Sequence, residues 1–193
     1  MADEIEYKFK VPSLKVEALI AGAEKAEVII QGYLLIGEGR GVLRVRMTRP
    51  LKSQEASSFV TMKFQQGEDA RVRKEYEYPI PVPDSMELLS LFFGKGVIHK
   101  TRYTLPPVKK GDKGFRLEVD VFHGCNNGLC LAEVEVSSLE DDISGVLALL
   151  PEGSKDVTSE RKYTNSYLTK NPYQNWRTLR GFLHNLLSAR WFR

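Results

Sequence analysis

The stretch DEIEYKFKV at residues 3–11 puts Glu4, Glu6, Lys8 and Lys10 at every second position, with Ile5, Tyr7, Phe9 and Val11 between them. In an extended strand this period sends the charged side chains to one face and the apolar ones to the other. The pattern recurs, and its recurrence limits the fold more than any other feature of the chain. Arg44 and Arg46 alternate with Leu43, Val45 and Met47; Thr61 and Lys63 share a face in FVTMKF; Arg71, Arg73, Glu75 and Glu77 align. Lys100 aligns with Arg102, Arg116 with Glu118 and Asp120, and Glu133 with Glu135. With IQGYLLI at 30–36, the chain offers eight short strands, mostly separated by turn signals at 37–41, 67–69, 111–114 and 124–128.

Helical spacing appears between and after the strands. The apolar periodicity predicts helices over 13–26 with Ser13 as N-cap, over 84–93 from Asp84, and over 138–150 from Ser137 or Ser138. A strongly amphipathic tail, with Trp176, Leu179, Leu183, Leu186 and Leu187 on its stripe, predicts one more helix within 171–193. Helices must dock their apolar stripes, and each strand offers one apolar face. If helices cover the apolar face of a closed sheet from outside, the charged face points inward. Signs also segregate by strand, acidic on some and basic on others, whereas a solvated face mixes them. The expected fold is therefore α+β and mainly β: an eight-stranded antiparallel tunnel barrel with a charged interior and helices packed outside. Dry burial of so many ions would cost several kcal/mol each unless paired, so the bore has to be wet. The competing architecture is an ordinary barrel with an apolar bore and a charged exterior.

Composition narrows the function classes. The 193 residues are 42% apolar and 27% charged, ordinary for one globular domain. No run reaches the roughly 18 apolar residues of a spanning helix, and the acidic start lacks a signal-peptide pattern, so the expectation is a cytoplasmic protein without a membrane partner. A net charge of +3 gives no argument for nucleic acid. Cys125 and Cys130 bracket a turn and are read as a reduced pair. His99, His123 and His184 are widely spread and need no catalytic role, and no phosphate-binding glycine loop is present. A channel with clustered Arg and Lys beside clustered Glu and Asp suits a polyphosphate with its divalent metal.

The ordered series Glu4-x-Glu6-x-Lys8, QGYL at 31–34, Arg44-x-Arg46, Lys63, Arg73-x-Glu75-x-Glu77, Lys100-x-Arg102, LEVDVFHG at 117–124, LAEVE at 131–135 and RKYTNSYL at 161–168 resembles the CYTH superfamily, the triphosphate tunnel metalloenzymes. The resemblance implies a CYTH tunnel-barrel domain over 1–170, with residues 171–193 as a helix packing on it. It implies Mg2+ or Mn2+ held by Glu4, Glu6 and one or both of Glu133 and Glu135, with Glu75, Glu77, Glu118 and Asp120 serving a second metal or orienting water. Lys8, Arg44, Arg46, Lys63, Arg73, Lys100 and Arg102 would clamp the phosphates of a small-molecule triphosphate. Lys100 is the implied base, with Tyr33 as its hydrogen-bonding partner.

The attacking group separates the family's activities. Water attacking the terminal phosphorus gives hydrolysis; the ribose 3′-hydroxyl of ATP attacking the α-phosphorus gives cyclic AMP and diphosphate. No dedicated adenine or thiamine pocket is visible, which favours metal-dependent hydrolysis of inorganic triphosphate. The alternatives are a class IV adenylyl cyclase, hydrolysis of thiamine or nucleoside triphosphate, a non-catalytic polyphosphate- or nucleotide-binding module, and an RNA 5′-triphosphatase. The apolar stripe of the tail suits either closing a tunnel mouth or docking a second subunit as a homodimer.

Overall fold

The structure is a computed structural model that describes residues 3–36, 41–65, 72–92, 96–110 and 113–176, with backbone alone at 3, 4, 65, 72, 73, 110 and 113. The strands are β1 (Asp3–Lys10), β2 (Lys25–Ile36), β3 (Gly41–Pro50), β4 (Ser57–Gln65), β5 (Val72–Pro79), β6 (Ile98–Thr104), β7 (Val108–Lys110), β8 (Lys113–Phe115), β9 (Leu117–Phe122), β10 (Cys130–Val136) and β11 (Lys155–Asp156). The helices are α1 (Val16–Ile20), α2 (Val82–Leu91), α3 (Ser144–Leu147) and α4 (Asn165–Leu168).

One mainly antiparallel sheet of nine strands runs β10-β9-β6-β2-β3-β4-β5-β1-β11, and β10 additionally pairs with β1 from Ile5↔Val136 to Lys10↔Leu131. The sequence pattern predicted eight strands. The ninth, β11, is a two-residue ladder on β1 at Phe9↔Asp156 and Lys10↔Lys155, too short to carry any alternation. The β7–β8 hairpin forms a separate two-stranded sheet.

Register decides which side chains share a face. Gln31 opposes Arg46, Tyr33 opposes Arg44, Arg44 opposes Thr61, and Lys63 opposes Glu75. Arg102 opposes Glu27 and Asp120, Glu118 opposes Glu133, Glu133 opposes Lys8, and Glu4 opposes Arg73. Opposed residues project to the same side, so one charged face continues across eight strands.

The other face is apolar and covered. Ile5, Phe9, Leu117, Val119, Ala132 and Val134 pack there with Val16 of α1, Val146 of α3 and Phe115 of β8. Farther round, Val45 packs with Leu89 of α2 and with Phe92. A Cβ on Gly32 would sit 2.7 Å from the Phe92 ring, so glycine is what lets α2 approach β2. The Ser58 and Ser85 hydroxyls, 2.7 Å apart and buried, tie the same helix to β4. A third cluster lies at one end of the charged face: Ile98, Phe122 and Leu131 meet Leu129, Val157, Tyr163 and Leu168, with Tyr33, Tyr173 and Trp176 against them.

Two predicted helices are much shorter than their spacing suggested. Over 13–26, a 3₁₀ turn (Ser13–Lys15) and α1 end by Ile20, and β2 begins at Lys25. Ladders to both β3 and β6 reach back to Glu27 and Lys25, and this pairing overrides local helical spacing. Ser13 is no N-cap; Pro12 holds that position without a side-chain bond. Over 138–150 only α3 is helical, because the Asp141 carboxylate accepts from the Ser137 and Ser138 backbone N–H groups, each at 3.0 Å, and closes a turn. α2 starts two residues before Asp84, with Pro81 as N-cap and Pro83 in its first turn. The tail is helical over 173–176. The rest of the predicted tail helix, with His184 and Trp191, lies outside the described residues, as do most of the predicted turns at 37–41 and 67–69 and residues 111–112.

Candidate active site

Strands β1, β6, β9 and β10 bring a first group of charges together. Arg102 forks onto Asp120 through Nε and Nη2, both at 2.7 Å, and also donates to Glu118 and Glu133. Lys100 donates to Asp120 Oδ2, and both residues are fully buried. The Lys8 ammonium sits between two carboxylates, 2.8 Å from Glu133 Oε1 and 3.2 Å from Glu6 Oε1.

A second group spans β3, β4 and β5. Arg44, only 5% exposed, donates to Glu77 at 2.8 Å, Glu75 at 3.2 Å and Thr61 at 2.9 Å. Thr61 donates in turn to Glu77, and Lys63 reaches Glu75 at 2.7 Å. Arg46 lies between the groups. Its Nε–H goes to the uncharged Gln31 Oε1 at 3.0 Å, and it makes no ion pair among the described residues.

Burial and charge set the protonation states. Desolvation, then the charge of Arg102, push the Lys100 ammonium down to about 8 despite Asp120. Burial, Arg44 and Arg102 together lower Arg46. Burial would raise Asp120, but Arg102 and Lys100 outweigh it and hold the carboxyl below its usual range. Glu133 is held well below its usual range, its burial outweighed by Lys8 and Arg102. Arg102, penalised by burial, is raised well above its ordinary value by Asp120 and Glu133. Glu118 moves upward, chiefly through burial.

Most of the sequence-predicted site residues therefore share one face: Glu6, Lys8, Arg44, Arg46, Lys63, Glu75, Glu77, Lys100, Arg102, Glu118, Asp120 and Glu133. Glu135 opposes Glu6 in register and is exposed. Glu4 and Arg73 oppose one another in the ladder, and their side chains lie outside the described residues. Arg116 is exposed. Tyr33 does not bond Lys100 among the described residues; Asp120 holds the ammonium, and Tyr33 packs toward the apolar end cluster. Gln31 and Thr61, both fully buried within the charged network, were placed in strand patterns but given no site role from sequence. Their phase with Tyr33 and with Lys63 was the available signal.

Hard carboxylate oxygens suit a divalent cation of the Mg2+ or Mn2+ type. Among the described residues no three Asp, Glu, His or Cys side chains gather as a ready cage. Yet Glu6 and Glu133 already hold one cationic group, the Lys8 ammonium, between them. The donor set fits a metal on chemical grounds, with Glu6, Glu133 and the exposed Glu135 as its described members.

The remaining features are peripheral. His99 is exposed on β6 and meets His123 in a tilted arrangement, with ring centroids 4.9 Å apart and planes at 56°. Trp176 packs edge-on against Tyr163, Tyr167 and Tyr173. Both cysteines are free thiols, Cys125 exposed and Cys130 buried. No described helix is long and apolar enough to cross a membrane.

A mainly antiparallel sheet carrying this acidic and basic face defines the class: the CYTH domain model matches residues 2–169, and the chain belongs to that family. Among curated proteins it is 35% identical to an inorganic triphosphatase of Acetivibrio thermocellus over 178 residues, 92% of this chain and 99% of that one. Among solved structures it resembles the inorganic triphosphatase NE1496, with TM-score 0.52 and 30% identity over 88% of this chain and 96% of the other. The PH1819 protein of Pyrococcus horikoshii OT3 shares the fold at TM-score 0.52 and 21% identity, over 76% of this chain and 84% of that one.

Proposed function

We propose that this protein hydrolyses inorganic triphosphate to diphosphate and phosphate on the charged face, which lines a tunnel formed as the sheet wraps round. The β10–β1 pairing supports the tunnel reading, since it gives β1 and β10 each a neighbour on both edges. The observation that carries the function is Arg46, a half-buried guanidinium beside Arg44 and Arg102 with no carboxylate of its own among the described residues. Such a group calls for an anion with several oxygens. The triphosphatase names of two relatives at 35% and 30% identity support the same choice.

In this reading Arg44, Arg46, Lys63 and Arg102 bind phosphate oxygens, with Lys8 and Arg73 at the margins, and offset charge that spreads over the transferring group. Lys100, lowered to about 8, takes a proton from the attacking water as its free amine. Asp120 keeps its Nζ in place, and Tyr33 forms the wall beyond. Glu4, Glu6, Glu133 and Glu135 would hold a divalent metal, while Glu75, Glu77, Glu118 and Asp120, ion-paired to Arg44, Lys63, Lys100 and Arg102, would assist a second metal or orient water. Bound Mg2+ or Mn2+ would supply Lewis-acid neutralisation of phosphate charge. In this reading residues 1–170 are the catalytic domain, and Trp176 at the start of the tail packs against its Tyr163 and Tyr167. Free thiols fit a cytoplasmic setting.

One observation favours a second reading. A cleft of about 310 Å³ lies where the charged face ends, lined by Glu27, Thr48, Ser57 and Phe59 among others. It offers an aromatic ring and hydroxyls to an organic substituent, as on ATP or thiamine triphosphate. The deciding experiment incubates the protein with triphosphate, ATP and thiamine triphosphate, each with Mg2+ and with Mn2+, and resolves phosphate, diphosphate and cyclic AMP. Fastest release of phosphate and diphosphate from triphosphate supports the proposal; cyclic AMP as the main product from ATP overturns it.

A further inference from the structure

We propose that Gln31 contacts the substrate: its side-chain Nε2–H donates to a non-bridging phosphate oxygen of bound triphosphate. The inference rests on the triphosphatase reading above. Gln31 is 0% exposed, in the middle of β2, with Arg46 and Ile98 as its ladder partners. Its two amide ends are not equivalent. Oε1 accepts from Arg46 Nε at 3.0 Å, whereas the buried Nε2 has no hydrogen-bond partner.

The orientation of the amide follows from its neighbour. Arg46 has only donors, so the oxygen must face it and the NH2 must face away. A buried donor without an acceptor is unfavourable and calls for a reason. The surroundings limit what the acceptor can be. Arg46 is flanked by Arg44 and Arg102, and the Arg44 and Arg102 guanidiniums and the Lys100 ammonium are already engaged with the carboxylates of Glu75, Glu77, Glu118, Asp120 and Glu133. An acceptor arriving among these cations is an anion, and a phosphate oxygen meets both requirements. Glutamine adds a donor there without adding charge. A lysine or arginine at the same point would press Lys100 and Arg46 still lower.

Two variants separate direct contact from support of Arg46. Gln31→Met removes both ends of the amide, while Gln31→Glu keeps an acceptor for Arg46, removes the donor and adds a negative charge. Affinity is read by calorimetry with the imido-bridged analogue of triphosphate in Mg2+, alongside kcat and KM on triphosphate and thermal melts. Gln31→Met is expected to weaken analogue binding about 10- to 100-fold. Gln31→Glu should weaken it at least as much, because its carboxylate also repels the anion. Wild-type affinity in Gln31→Glu beside weak binding in Gln31→Met would assign Gln31 to holding Arg46 alone and overturn the inference. Unchanged affinity in both would leave the amide to solvent and overturn it too. A wild-type protein that neither binds the analogue nor cleaves triphosphate would instead remove the triphosphatase reading, and this inference with it. If Gln31→Met fails to fold, the neutral Gln31→Ala takes its place, because weak binding in Gln31→Glu alone would also follow from charge repulsion.

Discussion

Replacing Arg102 by Met should move the Lys100 titration toward alkaline pH. Lys100 Nζ and Arg102 Nη2 both donate to Asp120 Oδ2, so two cations share one oxygen. At a separation of about 5 Å and an effective dielectric of about 20, their repulsion is roughly 3 kcal/mol, or about two pH units. Removing Arg102 lifts that repulsion and leaves Asp120 to Lys100 alone; freeing Glu118 and Glu133 acts in the same direction. All of these effects raise the amine, and after structural relaxation a rise of at least about one pH unit from the wild-type value of about 8 is expected. The assay is kcat/KM for triphosphate against pH, whose ascending limb reports the free enzyme's base. A second readout is stability. A Lys that titrates at about 8 when folded and 10.5 when unfolded makes the protein more stable as pH rises between those values, because the unfolded chain then binds the extra proton. That alkaline gain should shrink in Arg102→Met. The variant also loses the shared partner of three carboxylates, which costs about 3–5 kcal/mol, so circular dichroism must first establish folding. A limb at or below the wild-type position would refute Lys100 as a base whose proton affinity Arg102 controls.

Further outcomes follow from individual contacts. Glu4→Gln together with Glu6→Gln should abolish metal-dependent turnover with folding nearly intact; retained Mg2+-stimulated phosphate release would contradict the metal assignment. Arg44→Ala should weaken triphosphate binding by about one to a few kcal/mol, measured by calorimetry, and unchanged affinity would take Arg44 out of the clamp. Gly32→Ala should lower stability by about 1–3 kcal/mol in denaturant titration, because the new Cβ meets the Phe92 ring at 2.7 Å. A native-state thiol assay should modify exposed Cys125 rapidly and Cys130 hardly at all, since burial pushes the Cys130 thiol up to about 11; equal rates would place Cys130 at the surface.

The sequence by itself determined eight strands of the main sheet and their faces, but not β11 or the β7–β8 hairpin. The period-two placement of Glu6 and Lys8, Arg44 and Arg46, Lys100 and Arg102, and Glu118 and Asp120 needs no partner to be legible, because pleating alone sends them to one side. It did not determine helix lengths at 13–26 or 138–150, where pairing of β2 and a turn at Asp141 prevailed over apolar spacing. Nor did it find β11, whose two residues exist as a strand only because β1 offers an edge there. Which charges meet was decided by tertiary structure. Register alone puts Arg102 against Asp120, Glu118 and Glu133 from two other strands, leaves Arg46 with only Gln31, and gives Lys100 to Asp120 rather than Tyr33. Alternation is a local property of one chain segment, whereas burial, proton affinity and an unfilled hydrogen bond depend on what the neighbouring strands bring.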